Sequence, residues 1–371
     1  MKKTLLVAGA LVAGFTTTSL AQTASKNVMI EEFTGAWCGW CVDGAEIVEE
    51  LIEEHPDRIF SVGIHNGDDM VISENSFLEN FSGLGGFPAG MVNRLIISEG
   101  GDNTRTPYRR KLGGDTYGWA HHSAEEMNKM VPLEVKLKAI KTTGSEVKIS
   151  VDVVFNEDMA GDFRIMVYVS ENEVTSSNPQ ANYLSNRAGY ESSKYFSLPG
   201  SLPNYKHMWV LRAVPSTVYG SKDVIPNPGI KGNTYSKEYT YTIKAGEDYT
   251  KMHVAAFVID KDNDEEIVNV NQAGMTPTGV EETTQNATIS SVAPNPVSTL
   301  GLVKFALENE SYTKVELLNI HGQVVSVLKE GLFAAGNHHA AIDATQLADG
   351  IYLVAITSDA QRTVQRIVVA K

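Results

Sequence analysis

Cysteine is nearly missing from this chain: 371 residues carry two, Cys38 and Cys41. A bridge between residues so close in sequence closes a tiny loop, removes little entropy from the unfolded chain and staples almost nothing. The pair is therefore read as chemistry rather than reinforcement. Basic charge is also short, with 31 Lys and Arg against 45 Asp and Glu and a formal net charge of −14. Nucleic-acid binding draws most of its affinity from a basic patch, so no nucleic-acid partner is expected. Past residue 21 no apolar run is long enough for a transmembrane helix. There is no second cysteine pair and the histidines lack ligand spacing, so neither a metal nor a cofactor is expected. The Asp260-Lys261-Asp262-Asn263-Asp264 run resembles the start of a calcium loop. It lacks the central glycine and has Asn271 at the last ligand position, so it reads as a hairpin turn.

What is present suits an exported protein of two or three domains. Apolar residues make up 42% and charged residues 20%, an ordinary globular mix. Residues 1–21 read as a signal peptide, with Lys2 and Lys3, an apolar stretch from Leu5 to Phe15, and Ser19-Leu20-Ala21 for cleavage. Export puts the cysteines where disulfides persist.

Residues 22–131 read as an α/β domain. Val28 to Phe33 is a strand, and Ala45, Val48, Leu51 and Ile52 recur at helical spacing until His55-Pro56. Strands follow at Ile59 to Ile64 and Met91 to Ile97, helices near 75–82 and 117–130, and a weakly signalled strand near 98–110. From Val131 the pattern alternates. Seven short strands, near 133–139, 147–153, 163–169, 207–213, 236–243, 253–259 and 266–271, suggest an immunoglobulin-like antiparallel β-sandwich over 132–275. A polar segment, 171–206, carries Tyr183, Tyr190, Tyr195, Phe196 and Tyr205. Residues 276–288 read as a linker, and 289–371 as a small all-β module with a hairpin turn at His321-Gly322.

The segment Trp37-Cys38-Gly39-Trp40-Cys41 lies between a strand and a helix start. Free amides and the dipole at a helix N-terminus stabilise an anion, so Cys38 is expected to be the exposed, low-pKa nucleophile. Cys41, one turn on, would resolve the mixed disulfide. Glu31 and Glu32 are adjacent and point to opposite faces of their strand. If that strand is covered on both sides, at least one is buried, with a raised pKa.

Over residues 27–131 the chain resembles the thioredoxin superfamily, on Trp-Cys-x-x-Cys after a buried strand. The resemblance implies a cis-proline facing the dithiol, preceded by a residue whose backbone pairs with substrate, the place of Phe87-Pro88. It also implies a buried acid six residues before the first cysteine, the place of Glu32, able to exchange the Cys41 proton. Trp37, Gly39, Trp40 and Phe87 would then line the substrate groove, with packing as the other role for the tryptophans.

Residues 27–275 further resemble the Bacteroidetes family related to the twenty-eight-kilodalton outer membrane protein. The marks are Phe33-Thr34-Gly35-Ala36-Trp37-Cys38-Gly39-Trp40-Cys41, Gly86-Phe87-Pro88 and His207-Met208-Trp209-Val210-Leu211-Arg212. Residues 291–371 resemble the C-terminal sorting domain of type IX secretion, on Pro294-Asn295-Pro296, Leu318-Asn319-Ile320-His321-Gly322 and Leu347-Ala348-Asp349-Gly350-Ile351-Tyr352. The type IX machinery is then a partner, and the destination is the cell surface by way of the periplasm, with release or outer-surface attachment once the domain is removed.

Two functions follow. One is an extracytoplasmic thiol–disulfide oxidoreductase, oxidase or isomerase before reductase, acting on thiols and disulfides of protein or peptide substrates. The other is a surface binding or adhesion protein whose disulfide is not catalytic.

Overall fold

Nearly every position of Val28–Thr34 is apolar or small, apart from Glu31 and Glu32, which suits a strand covered on both faces. In the computed structural model, which describes residues 24–99, 102–109, 118–277, 287–307, 309–319, 323–358 and 361–371, this strand is β1, and all seven of its residues are buried. The elements that follow are α1 (Cys41–Glu54), β2 (Ile59–His65), α2 (Asn75–Ser82), β3 (Ala89–Val92) and α3 (Trp119–Met127). β1 pairs parallel to β2, with Glu32 opposite Gly63, and antiparallel to β3, with Glu32 opposite Gly90. Val28 and Ile30 pack on Ile47, Val48 and Leu51 of α1 and on Trp119 of α3. Met29 and Phe33 face the other way, onto Phe60, Val62, Ile64 and Leu78. Gly90 is required where it stands, since a Cβ there would sit 2.6 Å from the Trp119 ring.

The strand expected near 98–110 does not join this sheet among the described residues. Ile97–Glu99 pairs only with Asp102–Thr104. The cause lies just after β3. Asn93 and Arg94 take positive φ of 47° and 57°, which turns the chain away and carries the Arg94 side chain inward.

Strands continue with β4 (Leu133–Lys141), β5 (Glu146–Phe155), β6 (Phe163–Glu171), β7 (Val210–Ala213), β8 (Thr234–Thr242), β9 (Met252–Asp260) and β10 (Glu266–Gly274). They do not form a separate sandwich. Four of them extend the first sheet, whose seven strands run β10-β9-β6-β7-β2-β1-β3. The join is short and parallel: Val210 registers with Gly63, whose amide donates to Trp209 O at 2.8 Å. Strands β8, β5 and β4, with Thr276–Pro277, form the opposing sheet. The sheet therefore runs across the division expected at 131–132. β6 and β9 are the reason. Phe163, Ile165, Val167 and Val169 fill the space against Val147, Ile149, Val151 and Val153 of β5. Met166 and Tyr168, on the reverse face, join the β1–β2 core. Strands buried on both faces need cover on both, and the α/β portion supplies one of the two. The sheet curls until the Ile267 amide donates to Asn93 O at 2.9 Å, bringing the start of β10 to the end of β3.

A buried ion cluster lies inside that curl. Arg94 makes two hydrogen bonds of 2.8 Å to Glu31, one from Nε to Oε2 and one from Nη2 to Oε1. The Tyr168 hydroxyl donates to Glu31 at 2.7 Å and accepts from Arg94 at 2.8 Å. Glu265 approaches the guanidinium to 3.5 Å. Burial alone would pull the arginine pKa down, but Glu31 outweighs it and the net shift is upward.

A second compact unit starts at residue 279. It packs strands β11 (Ala287–Ala293), β12 (Leu300–Leu307) and β15 (Gly336–Asp343) in one sheet. The other, ordered β14-β13-β16-β17, holds β13 (Ser311–Asn319), β14 (Val324–Phe333), β16 (Gly350–Ser358) and β17 (Gln361–Val369). Its core includes Val303, Phe305, Val315, Leu317, Ile342, Val354 and Ile367. The signal peptide, most of the linker and the His321-Gly322 turn lie outside the described residues.

Replacing Arg94 with Met leaves the Glu31 carboxyl buried without its guanidinium partner, and should destabilise the first unit by about 3–5 kcal/mol. Adding Glu31→Gln to Arg94→Met should recover much of the loss. Urea unfolding of the two variants checks both statements.

Candidate active site

The chain leaves β1 through a turn, and α1 begins at Cys41. Cys38 N donates to Gly35 O at 3.0 Å, and Cys41 N to Cys38 O at 3.1 Å. The two cysteines form a disulfide. Asp68 steadies the loop from below: its Oδ2 accepts from the Ala36 amide at 2.8 Å and lies 2.8 Å from His65 Nδ1. Burial pulls the Asp68 carboxyl up, but the His65 contact, with the Ala36 and Met70 amides, outweighs it and holds it below the usual range. Trp37 anchors its indole by donating to Asn66 O at 2.7 Å, yet is 51% exposed.

Glu32 is 4% exposed and reaches toward α1. Among the described residues its Oε1 has no hydrogen-bond partner. Burial, then the nearby charge of Asp43, pushes its carboxyl up to about 8. At neutral pH it holds its proton. Gly44 makes this approach possible, because a Cβ there would lie 2.5 Å from Glu32 Oε1 and 3.0 Å from Pro88 Cβ. Phe87–Pro88 is cis, and the Phe87 ring meets Trp37 edge-on at 5.3 Å. Glu32, Pro88 and the first turn of α1 thus converge, with Trp37 and Phe87 on one flank.

Cys41 and Glu32 line a cavity of about 330 Å³ that also holds Thr34, His65, Tyr205 and His207. His207 Nε2 also has no partner among the described residues. Burial, then His65, pulls the ring down to about 3, so it stays neutral.

One expectation fails. Cys38 is not exposed: the two cysteines are 3% and 2% exposed. The 171–206 segment comes down on the loop. Ala181 N donates to Ala36 O at 2.8 Å, Tyr183 N to Gly39 O at 2.8 Å, and Gln180 Nε2 to Cys38 O at 2.9 Å. The Tyr183 ring presses on Gly39, where a Cβ would come within 2.3 Å of it. Trp40 is packed rather than free: Tyr183 and Tyr190 lie 6.3 and 5.7 Å away, and the Arg187 guanidinium sits 4.3 Å over its ring. Gln180, Asp68 and Gly44 were not legible as site residues, although Gly44 left a mark as a glycine inside a helical pattern. Tyr183 and His207 stood out only as members of the 171–206 segment and of the His207–Arg212 run.

Residues 75–278 match the family described as outer membrane protein Omp28, and residues 291–370 the secretion system C-terminal sorting domain. The first match includes Phe87-Pro88 and the 171–206 segment but begins after the cysteines. Among solved structures, HBP35 of Porphyromonas gingivalis is 22% identical, with 93% of this chain and 99% of that one covered and a TM-score of 0.50. A domain of the outer membrane lipoprotein Omp28 from the same organism is 15% identical over 39% of this chain and 97% of its own, with a TM-score of 0.24. No curated protein matches. The Omp28 match spans more than half of the residues and the sorting domain follows it, so this chain belongs to the outer membrane protein Omp28 family and is a secreted, cell-surface member that carries a type IX sorting domain.

Proposed function

We propose that the α/β portion is thioredoxin-like and that the protein is an extracytoplasmic thiol–disulfide oxidoreductase acting on protein substrates. The observation that carries this is a buried, protonated Glu32 that shares a cavity with Cys41 and has an unpartnered Oε1, with the cis Pro88 beside it against Gly44 in the first turn of the helix. A disulfide kept only for reinforcement needs no buried acid beside it, and burying that acid costs stability.

In the oxidising direction, a substrate thiolate attacks Cys38 Sγ and the Cys38–Cys41 bond breaks. Cys41 leaves with the electron pair and takes the Glu32 proton. A second substrate thiolate attacks the substrate sulfur of the mixed disulfide and expels Cys38. Two substrate thiols end as one disulfide, and their two electrons rest on the Cys38/Cys41 dithiol. In the reverse direction, Glu32 takes the proton back when Cys41 attacks. Shuffling a substrate disulfide uses the same steps without net electron transfer. A reductase at the cell surface needs an electron supply, so oxidase or isomerase is the preferred form.

The burial of both cysteines under the 171–206 segment favours a second reading, a surface binding protein with a sealed disulfide. The two readings separate on trapping. Cys41→Ser should accumulate mixed disulfides through Cys38, while Cys38→Ser accumulates few or none. Non-reducing electrophoresis of each variant from its own cell envelope reads this. Adducts absent from both give the sealed reading first place.

Glu32 also makes stability depend on pH. A carboxyl raised from 4.5 to about 8 gives stability that is complete below the lower value and lost as pH rises through the upper one. Glu32→Gln removes the titration. Its unfolding free energy should gain on the wild type steadily between those limits, and parallel curves in urea titrations across that range contradict the buried-acid assignment.

The sorting domain has its own core. The mature surface form should therefore end within or near residues 276–290, which intact mass spectrometry reads directly. Deleting residues 291–371 should leave folded protein in the periplasm.

A further inference from the structure

Residues 180–183 contact the dithiol loop through two backbone amides and one side chain. Ala181 and Tyr183 are two apart, so their amides leave the same edge of an extended segment. They donate to Ala36 O and Gly39 O, and the Gln180 side chain satisfies Cys38 O between them. Three carbonyls of the loop that holds the disulfide are thus engaged by three residues of one short stretch from a distant part of the chain. An incoming extended peptide could use the same acceptors.

The covering segment is built as a separable piece. Its base is the pairing of Val174–Thr175 with Lys206–His207, and a second short pairing joins Gln180–Ala181 to Ser201–Leu202. Its apolar contacts form a small cluster of Val42, Leu184, Tyr195 and Leu202, edged by Trp40, Tyr190 and Tyr205, distinct from the cores of the two large sheets. Charged groups also meet it at the rim: Lys194 with Glu49, the Lys194 amide with Glu46, Arg187 over Trp40, and Asp69 with Ser176 and the Ser177 amide. Segments held by few buried apolar contacts open well below the global unfolding free energy.

We infer that the backbone edge from Ala36 to Gly39 is a docking edge for an extended peptide carrying an aromatic residue, and that residues 180–183 hold its place as an internal competitor. Opening the segment about residues 174–175 and 206–207 uncovers Cys38, frees the Ala36 and Gly39 carbonyls, removes the Gln180 bond from Cys38 O and leaves the Gly39–Trp40 shelf for the aromatic ring of the newcomer. Trp37 and Phe87, already on the open flank, form its other wall. This deepens the exchange reading by naming its substrate class, an extended aromatic-bearing segment of a protein.

The test uses the full-length oxidised protein and two variants. Ala181→Pro removes the amide hydrogen that reaches Ala36 O, and Tyr183→Ala removes the ring on Gly39 and keeps the backbone. Near-UV circular dichroism establishes that each is folded. Reduction of Cys38–Cys41 by dithiothreitol, followed through alkylation of the released thiols, should be faster by about tenfold in both variants. A fluorescein-labelled peptide of residues 178–185 should raise anisotropy with the variants and not with the wild type. Unchanged reduction rates in two folded variants overturn the inference, as does faster reduction without peptide binding. The readout needs no substrate turnover. Faster reduction with peptide binding, but no trapped adducts of Cys41→Ser, would remove the exchange reading and leave the docking edge standing.

Discussion

The bidentate pair of Arg94 and Glu31, closed by the Tyr168 hydroxyl, is the contact on which the first unit depends. It joins β1, the turn after β3, β6 and, through Glu265, the start of β10. None of these groups can leave the interior without stranding a charge, and stranding one costs far more than the intact cluster contributes. The cluster therefore fixes which strands share the curled sheet. Its rings sit well for that task, with Phe81 and Phe257 packed 4.9 and 5.5 Å from the guanidinium carbon. Once β1 and β6 are locked to the same arginine, the remaining faces of β6 and β9 have to be covered by β4, β5 and β8.

Glu31 and Glu32 show how the same side chain acquires opposite properties from adjacent positions. The pleat sends one into the curl and the other toward α1. Glu31 meets a guanidinium and a phenolic hydroxyl, both of which donate to it. Glu32 meets Gly44, Pro88 and a cavity, with Asp43 nearby, and keeps a proton instead. The first serves structure and the second is available for chemistry. The cavity beside Cys41, lined by neutral His207 and by His65, also takes in Lys194, Lys206 and Glu49, so that corner is polar.

Local features of this arrangement were legible in the sequence. Strand and helix periodicity located β1, α1, β2 and the seven later strands, because each carries its own burial pattern. The pair of adjacent glutamates on a two-sided strand announced buried acid before any contact was known. Pairing partners were not legible. Val210 meets Gly63 through a single register position, and no periodicity encodes which edge a strand chooses. That the strand after β3 joins no larger sheet among the described residues follows from left-handed backbone at Asn93 and Arg94, neither of them a glycine that would have flagged it. That the aromatic-bearing 171–206 segment covers the cysteines was illegible for a related reason: its hydrogen bonds to the loop run through backbone groups and one glutamine. Residues 336–343 also escaped notice as a strand, since Gly336-Asn337-His338-His339 carries no apolar signal.

The sheet that runs from β3 to β10 also bears on heredity. A portion that owns its own sheet can be copied, moved or fused elsewhere by recombination, because a cut at its border exposes nothing new. A cut near residue 131 would bare the β2 edge, remove Tyr168 from Arg94 and strip the cover from Cys38 in one stroke. The cysteine-bearing third and the strands that follow it are bound to be inherited together. The portable piece is at the other end, where the sorting unit owns both of its sheets and its own core.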